Sequence, residues 1–288
     1  MKIKKFVVKP GKRMSLKDFD PSYTGKHVDH ESAKDKLAKD IEKLIQLQDQ
    51  LYADDRYSVL MVFQAMDAAG KDGTIKHVMS GINPAGCEVY SFKAPSAVEL
   101  DHDFMWRTSC SLPQRGRIGI FNRSYYEEVL TVRVHPEFLE KEKLPDGAVS
   151  KKIWDERYKD INSFEKYLSR NGYVVLKFFL YISKGEQKKR FLDRIEDPTK
   201  NWKISRSDMA ERALWINYMK YFEEMLAATS TKHAPWHVIP ANHKWFAHLA
   251  VADIIVQTLD GLNLRYPKVA KEQRTLLAEM KRALARER

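Results

Sequence analysis

The sequence predicts an α/β fold in which a parallel sheet lies between layers of helices. Two observations carry this prediction. Short apolar runs recur along the chain, the clearest being Ser58 to Phe63 and Tyr173 to Ile182, and such runs suit strands buried on both faces. Between them lie segments whose apolar residues repeat at helical spacing, so strands alternate with helices.

The 288 residues fit one large domain with extensions, spanning the whole chain. Residues 1–30 are basic and broken by Pro10, Gly11, Pro21 and Gly25, which reads as an arm packed on the surface. Glu31 to Tyr52 is a helix with Leu37, Ile41, Leu44, Ile45, Leu47 and Leu51 in register. The first strand, Ser58 to Phe63, leads through a glycine-containing loop into a helix from Thr74 to Met79. Cys87 to Phe92 is the next strand, Val98 to Ser109 a helix, and Arg117 to Asn122 a third strand. Lys151 to Ser169 is a helix with Ile153, Trp154, Tyr158, Ile161, Phe164 and Leu168 on one face. Tyr173 to Ile182 is the most apolar strand, followed by a basic helix from Glu186 to Glu196 and a helix from Met209 to Ala228. Trp236 to Pro240 is the last strand, and His248 to Leu264 and Lys271 to Glu287 are helices.

The composition limits the function. A hydrophobic share of 43% supports a real core, and 50 Lys and Arg against 39 Asp and Glu give a formal net charge of +11. That surplus calls for an anionic partner, whether nucleic acid, nucleotide, inorganic polyanion or acidic lipid. Cys87 and Cys110 are the only cysteines, too few for a disulfide framework or a zinc site, and they suit a reducing compartment. No apolar run has the length of a signal peptide or approaches the roughly 20 residues of a membrane span, so the expected location is the cytoplasm, with no membrane partner.

The central motif is Ala65-Met66-Asp67-Ala68-Ala69-Gly70-Lys71-Asp72-Gly73-Thr74, between the first buried strand and a helix. A P-loop needs that context. Successive backbone N–H groups and a helix N-terminus form a cradle for phosphate. Gly70 lets the backbone turn close to the ligand, and Lys71 sets a point charge on phosphoryl oxygens. Residues 68–74 are therefore the candidate phosphate-binding set, namely Ala68, Ala69, Gly70, Lys71, Asp72, Gly73 and Thr74. The match to G-x-x-x-x-G-K-[ST] is degenerate, since Ala65 replaces the first glycine and Asp72 the Ser or Thr. A carboxylate beside phosphate needs a cation between them, so Asp67 is a candidate metal ligand or a group that orients the attacking oxygen. Asp72 is either part of this machinery or a cap on the following helix.

The strand Ile118-Gly119-Ile120-Phe121 ends in Asn122-Arg123-Ser124-Tyr125-Tyr126-Glu127. Ligands of open α/β sheets sit beyond the carboxyl ends of strands, which places this segment beside the P-loop. Asn122 stands where P-loop proteins often carry a metal-binding Asp, and Arg123 is a bidentate phosphate donor.

These blocks resemble the polyphosphate kinase 2 family when taken with Leu176-Lys177-Phe178-Phe179-Leu180, Asn201-Trp202-Lys203 and Ala234-Pro235-Trp236-His237-Val238-Ile239-Pro240-Ala241. They fall in that family's order, from about residue 30 to about residue 265. The resemblance implies a thymidylate-kinase-like P-loop fold with a helical lid. It implies transfer of phosphoryl groups between inorganic polyphosphate and purine nucleotides (AMP, ADP, GMP or GDP), with magnesium or manganese as cofactor. It also implies a homo-oligomer, dimer or tetramer. Asp67, Lys71 and Arg123 are then catalytic, and Asp67 with Asn122 binds the metal. Asn122, Arg123, Tyr126, Glu127, Asp103 and Arg133 face the nucleotide. Asn122 together with Glu127 resembles the subgroup that accepts both mono- and diphosphates. Other members carry Asp at the first of these positions and Asn at the second. Tyr125 stands where His or Trp is usual.

Residues 183–213 are rich in cations and lie where a nucleotide-kinase lid would be. Arg190, Arg194, Lys200 and Lys203 are the candidate contacts to polyphosphate. Arg190 and Arg194 lie four apart and share a helix face. A closing lid would exclude water and neutralise the transferring group. Trp202 either packs the hinge or stacks on a base. The bland alternative is a solvated charged helix, with Glu186, Asp193, Glu196 and Asp197 as partners. Residues 268–288 form a C-terminal helix. Glu99, Asp101, His102 and Asp103 crowd a helix start and read as first-turn charge. His233, His237 and His243 lack metal spacing. Two other functions share parts of these features, an ATP-dependent nucleoside-monophosphate kinase and a non-catalytic polyanion binder. No nucleic-acid motif is present, and the loop carboxylates argue against the second.

Overall fold

The computed structural model describes residues 1–27 and 29–287, leaving aside the side chain of Lys271. Val28 and Arg288, the latter within the span expected as a C-terminal helix, lie outside the described residues.

The elements in chain order are α1 (Glu31–Asp54), β1 (Ser58–Gln64), α2 (Lys71–Val78), β2 (Cys87–Ser91), α3 (Ala97–Leu100), α4 (Trp106–Ser109), β3 (Ile118–Asn122), α5 (Thr131–Val134), α6 (Ile153–Arg170), β4 (Tyr173–Tyr181), α7 (Lys184–Glu196), α8 (Arg206–Ala213), α9 (Trp215–Thr229), β5 (Trp236–Pro240), α10 (Lys244–Asp260) and α11 (Lys271–Leu284). The strands form one sheet in the order β2-β3-β1-β4-β5, and every neighbouring pair is parallel. All seven residues of the central strand β1 are buried. Successive side chains of a strand point to opposite faces. Thus Phe178 stacks on Phe63 on one side, while Lys177 reaches α6 and α9 on the other. Helix α10 packs against α1, α2, β4 and β5, and most of its length is buried, from Phe246 to Ile255.

The edge strand β5 is covered by the N-terminal arm. Val8 N–H donates to the Trp236 carbonyl (2.9 Å), and Val238 N–H donates to the Phe6 carbonyl (2.8 Å). The expected surface arm is thus part of the sheet's protection, with Phe6, Val8 and Leu16 in the core. An uncovered edge would offer its backbone to another chain.

Two expected helices are each divided. The one expected from Val98 to Ser109 is α3 and α4, broken where the Asp103 carboxylate accepts the Met105 N–H (2.9 Å) and draws the backbone out of the helix. The one expected from Met209 to Ala228 is α8 and α9, separated at Leu214. A capping box from Ser205 to Asp208 starts α8 earlier than the apolar spacing indicates.

Between β4 and α6 lies a fully buried ion pair, Lys177 with Glu165 at 2.6 Å. Both Tyr125 and Tyr126 donate their hydroxyls to Glu165 (2.9 and 2.8 Å), and Lys177 also donates to the Thr229 carbonyl (2.7 Å). A buried charge is tolerated only when paired and hydrogen-bonded in this way.

The buried histidines set the acid sensitivity of the fold. Burial pushes His237 and His248 down to about 4, from an ordinary value of 6.5. Burial also pushes Glu128 up to about 7, against the pull of Arg107 at 3.2 Å. Near pH 5 the unfolded chain therefore holds close to two extra protons on the histidines, and the folded chain about one on Glu128; toward pH 6.5 the two nearly cancel. The unfolded state binds more protons, so stability falls as pH falls, by at most about 1.4 kcal/mol per pH unit. Thermal unfolding should show Tm dropping from pH 6.5 to 4.5. A flat profile would contradict this balance.

Candidate active site

The parallel register brings three strand ends level. Phe63 pairs with Asn122 on one side and Phe178 on the other, so the loop after β1 lies beside the segment after β3. Arg123 N–H donates to the Phe63 carbonyl at 3.1 Å and ties the two together. Arg123 and Ala68 both hold positive φ of 65°, a conformation side chains other than glycine seldom adopt. Gly70, at φ 101°, needs glycine outright.

The loop is held from its carbonyl side. Arg190 of α7 is buried, at 4% exposure. It donates to the carbonyls of Ala68 (3.0 Å), Ala69 (2.8 Å), Ala241 (2.5 Å) and Asn242 (3.1 Å), and its Nε pairs with Glu186 (2.7 Å). Gln187 donates to the Asp67 carbonyl at 3.0 Å. The N–H groups of residues 71–73 open α2, where a helix start leaves them without intrahelical partners. Arg190, expected to contact polyphosphate, is thus engaged here by the loop's own carbonyls and by Glu186. Replacing Arg190 by Met should cost about 3 kcal/mol of stability, because four carbonyls and Glu186 lose a buried partner. A direct phosphate contact would instead raise KM for the donor with Tm unchanged, so kinetics and thermal unfolding of this variant decide between the roles.

Lys71 is half-buried and donates to the Ala65 carbonyl at 3.1 Å. Burial and then the charge of Arg123 hold its pKa below the usual lysine range, so a bound anion would be strongly favoured there. The Asp67 carboxylate accepts from Arg123 at 3.1 Å. The charge of Glu127, and then that of Asp67, raises the pKa of Arg123, which stays cationic. Asn122 donates to the Asp72 carboxylate at 2.7 Å, while the N-cap of α2 is Gly70. Asp72 therefore faces β3 and is not a cap.

A cleft of about 230 Å³ adjoins the loop. Asp67, Arg123 and Glu127 line it as the sequence indicates, joined by Thr131, Glu211 and Tyr218. Four expected nucleotide contacts do not line it, Asn122, which is bonded to Asp72, and three others. Tyr126 is fully buried on Glu165 and Lys177, because β3's continuation turns that side chain into the core. Arg133 is engaged by Glu224 (2.5 Å), by the Tyr158 hydroxyl (2.9 Å) and by the Tyr221 ring. Asp103 breaks the α3–α4 segment and lines a separate recess with Lys143 and Glu142.

The lid cations are spread along α7 and the following turn. Arg194 lies over the Phe191 ring (5.9 Å), Lys200 pairs with Asp197, and Lys203 covers the exposed Trp202 ring (5.1 Å). Glu211 of the lid helix α8 accepts from Tyr218 (2.6 Å) and contacts His135 (3.0 Å). Sequence reasoning missed Glu211 and Tyr218, since Tyr218 sits on a helix face that reads as core. It missed Gln187 too, a polar residue one turn before Arg190. The signal for the Lys177–Glu165 pair was present, as a lysine inside the most apolar strand.

A sequence model of the family described as Polyphosphate kinase 2 (PPK2) matches residues 27–267. The chain is 49% identical to an ADP-polyphosphate phosphotransferase of Rhodopseudomonas palustris, over 99% of both chains. It is 43% identical to an AMP/ADP-polyphosphate phosphotransferase of Meiothermus ruber, over 92% of this chain and 96% of that one. The crystal structure of polyphosphate kinase 2 from Arthrobacter aurescens TC1 superposes with a TM-score of 0.85 at 39% identity, covering 95% of each chain.

Proposed function

The chain belongs to the polyphosphate kinase 2 family, and from that premise we propose that it transfers phosphoryl groups between inorganic polyphosphate and purine nucleotides, taking both mono- and diphosphates as acceptors. The observation that carries this reading is the cleft. Asp67 and Arg123 meet at 3.1 Å and line it together with Glu127, and the P-loop with Lys71 follows Asp67 directly in the chain. Donor phosphates lie on the loop, and the acceptor enters from the Glu127 side.

An oxygen of the acceptor's terminal phosphate attacks the end phosphorus of the donor in line. The bridging P–O bond breaks, and the shortened polyphosphate leaves with that electron pair. The acceptor phosphate is already ionised near neutral pH, so no strong general base is required. Lys71, Arg123 and the loop amides carry the charge that spreads over the transferring oxygens. Arg194, Lys200 and Lys203 act with the lid, and closure over the cleft excludes water.

The donors fit a divalent ion, magnesium or manganese. Asp67 would supply a hard oxygen in the cleft lining, and Asn122, whose amide nitrogen is bonded to Asp72, would supply its amide oxygen at the end of β3. Among the described residues no group of three or more His, Cys, Asp or Glu forms a protein-only cage. One or two protein oxygens plus phosphate is how a small, strongly hydrated cation is usually held. When bound, the ion neutralises charge between donor and acceptor phosphates.

No helix among the described residues is long and apolar enough to cross a membrane. The cytoplasm as location is supported by two free thiols, Cys87 and Cys110. A homo-oligomer is supported by α11, which exposes Leu276, Met280 and Leu284 by half or more.

The test is transfer from long-chain polyphosphate, with magnesium and without ATP, to AMP and separately to ADP. Formation of ADP in the first and ATP in the second is expected. Reaction with one acceptor alone would refute the dual-acceptor reading of Asn122 and Glu127.

A further inference from the structure

Residues 1–27 hold eight Lys and Arg against two carboxylates, more than half of the formal net charge of +11. The fold gathers six of these cations, Lys2, Lys4, Lys5, Lys9, Lys12 and Arg13, around one groove of about 920 Å³ at the outer edge of the sheet. All six are exposed. Asp18 is the groove's single carboxylate, and it is engaged in the capping box with Ser15. Among the described residues none of the six has a carboxylate partner, and only Lys5 has a side-chain partner, the Tyr23 hydroxyl at 3.3 Å. Some lysines elsewhere do pair with acids, as Lys36 does with Asp40 and Asp253, and Lys43 with Asp260.

The groove is built on a fixed scaffold. The arm is bonded to β5 through Phe6 and Val8, Ser230 donates to the Val8 carbonyl (2.6 Å), and Glu223 accepts from Ser15 and Leu16 (2.8 and 2.5 Å). Like charges gathered around one groove repel one another, and an anion relieves that repulsion. The same ribbon then runs to the transfer site. The Pro21 carbonyl accepts from Asn242 N–H (3.0 Å), and Asn242 in turn donates to Ser22 (2.7 Å) and accepts from Arg190 beneath the P-loop (3.1 Å).

We propose that this groove is a second polyanion site that holds the polyphosphate chain outside the transfer centre. It rests on polyphosphate being the donor. A nucleotide's phosphates are too short to span six dispersed cations, whereas a polymer bearing about one charge per phosphate can displace the counterions along the groove. Nucleic acid is the less favoured occupant, because single-stranded nucleic acid needs aromatic platforms, and the groove's one aromatic, Phe19, packs on the core. The groove lies in a segment almost wholly ahead of residues 27–267, which the family's sequence model matches. Holding the chain there raises its effective concentration at the P-loop and favours repeated transfer from one polymer.

The experiment uses the full chain with Lys4→Gln, Lys9→Gln, Lys12→Gln and Arg13→Gln combined, checked for unchanged Tm. KM is measured for long-chain polyphosphate and for tripolyphosphate at a fixed AMP concentration, over a series of salt concentrations. The expected result is a KM about tenfold higher for the long chain, with a flatter salt dependence. Both kcat and the KM for tripolyphosphate should be unchanged. An unaltered KM for the long chain, or an equal rise for tripolyphosphate, overturns the proposal. So does loss of single-stranded RNA binding with polyphosphate kinetics intact. If the wild type transfers from ATP alone, the donor assignment fails separately. Retention of labelled long-chain polyphosphate by the wild type but not by the variant would then still establish the groove.

Discussion

Replacing Asp67 by Asn is expected to lower kcat by about 10³-fold or more with Tm unchanged. The substitution keeps the shape of the side chain. The fold holds the residue's backbone through Gln187, whose amide donates to the Asp67 carbonyl at 3.0 Å, and that bond survives. What changes is charge. The carboxylate faces Arg123 at 3.1 Å across the mouth of the cleft, with Glu127 beyond. An amide in its place is a poor ligand for a hard cation and no longer balances Arg123. Initial rates and a thermal melt on the same preparation test this. Undiminished turnover would remove Asp67 from the mechanism.

Replacing Lys71 by Ala should cost about 10³-fold in kcat/KM, whereas Arg194→Ala or Lys203→Ala should each cost less than about tenfold. The difference is one of environment. The Lys71 ammonium lies at the loop, partly desolvated, so its attraction to phosphate is little screened. Lys203 is exposed beside Trp202, and its contribution is diluted by water and salt. Its neighbours on the lid can substitute for it in part. Equal losses from Lys71 and Lys203 would show that the lid, and not the loop, bears the transferring charge.

The sheet was legible because its strands are buried on both faces, so β1, β4 and β5 appear as apolar runs with ends within a residue or so of those observed. The loop motif was legible because a strand, a glycine, a lysine and a helix must follow in order for backbone amides to converge. Side-chain direction was not. Glu127 and Tyr126 are adjacent, yet one lines the cleft and the other is buried on Glu165. The turn after Ser124 decides this, and its 3₁₀ geometry does not follow from apolar spacing. Arg190 illustrates the same limit. A lid arginine and a loop-building arginine carry the same charge at the same helical spacing. Only the approach of α7 to the carbonyls of Ala68 and Ala69 separates them. The breaks at Asp103 and Leu214 were hidden because local capping competes with helices at a scale that periodicity averages over.

The most direct measurement is a donor comparison with AMP as acceptor, magnesium present, and either long-chain polyphosphate or ATP supplied at equal phosphate concentration. Faster formation of ADP from polyphosphate, with no ATP added, is the expected result. Transfer from ATP with none from polyphosphate would leave the fold and the P-loop in place and contradict the assignment of the donor.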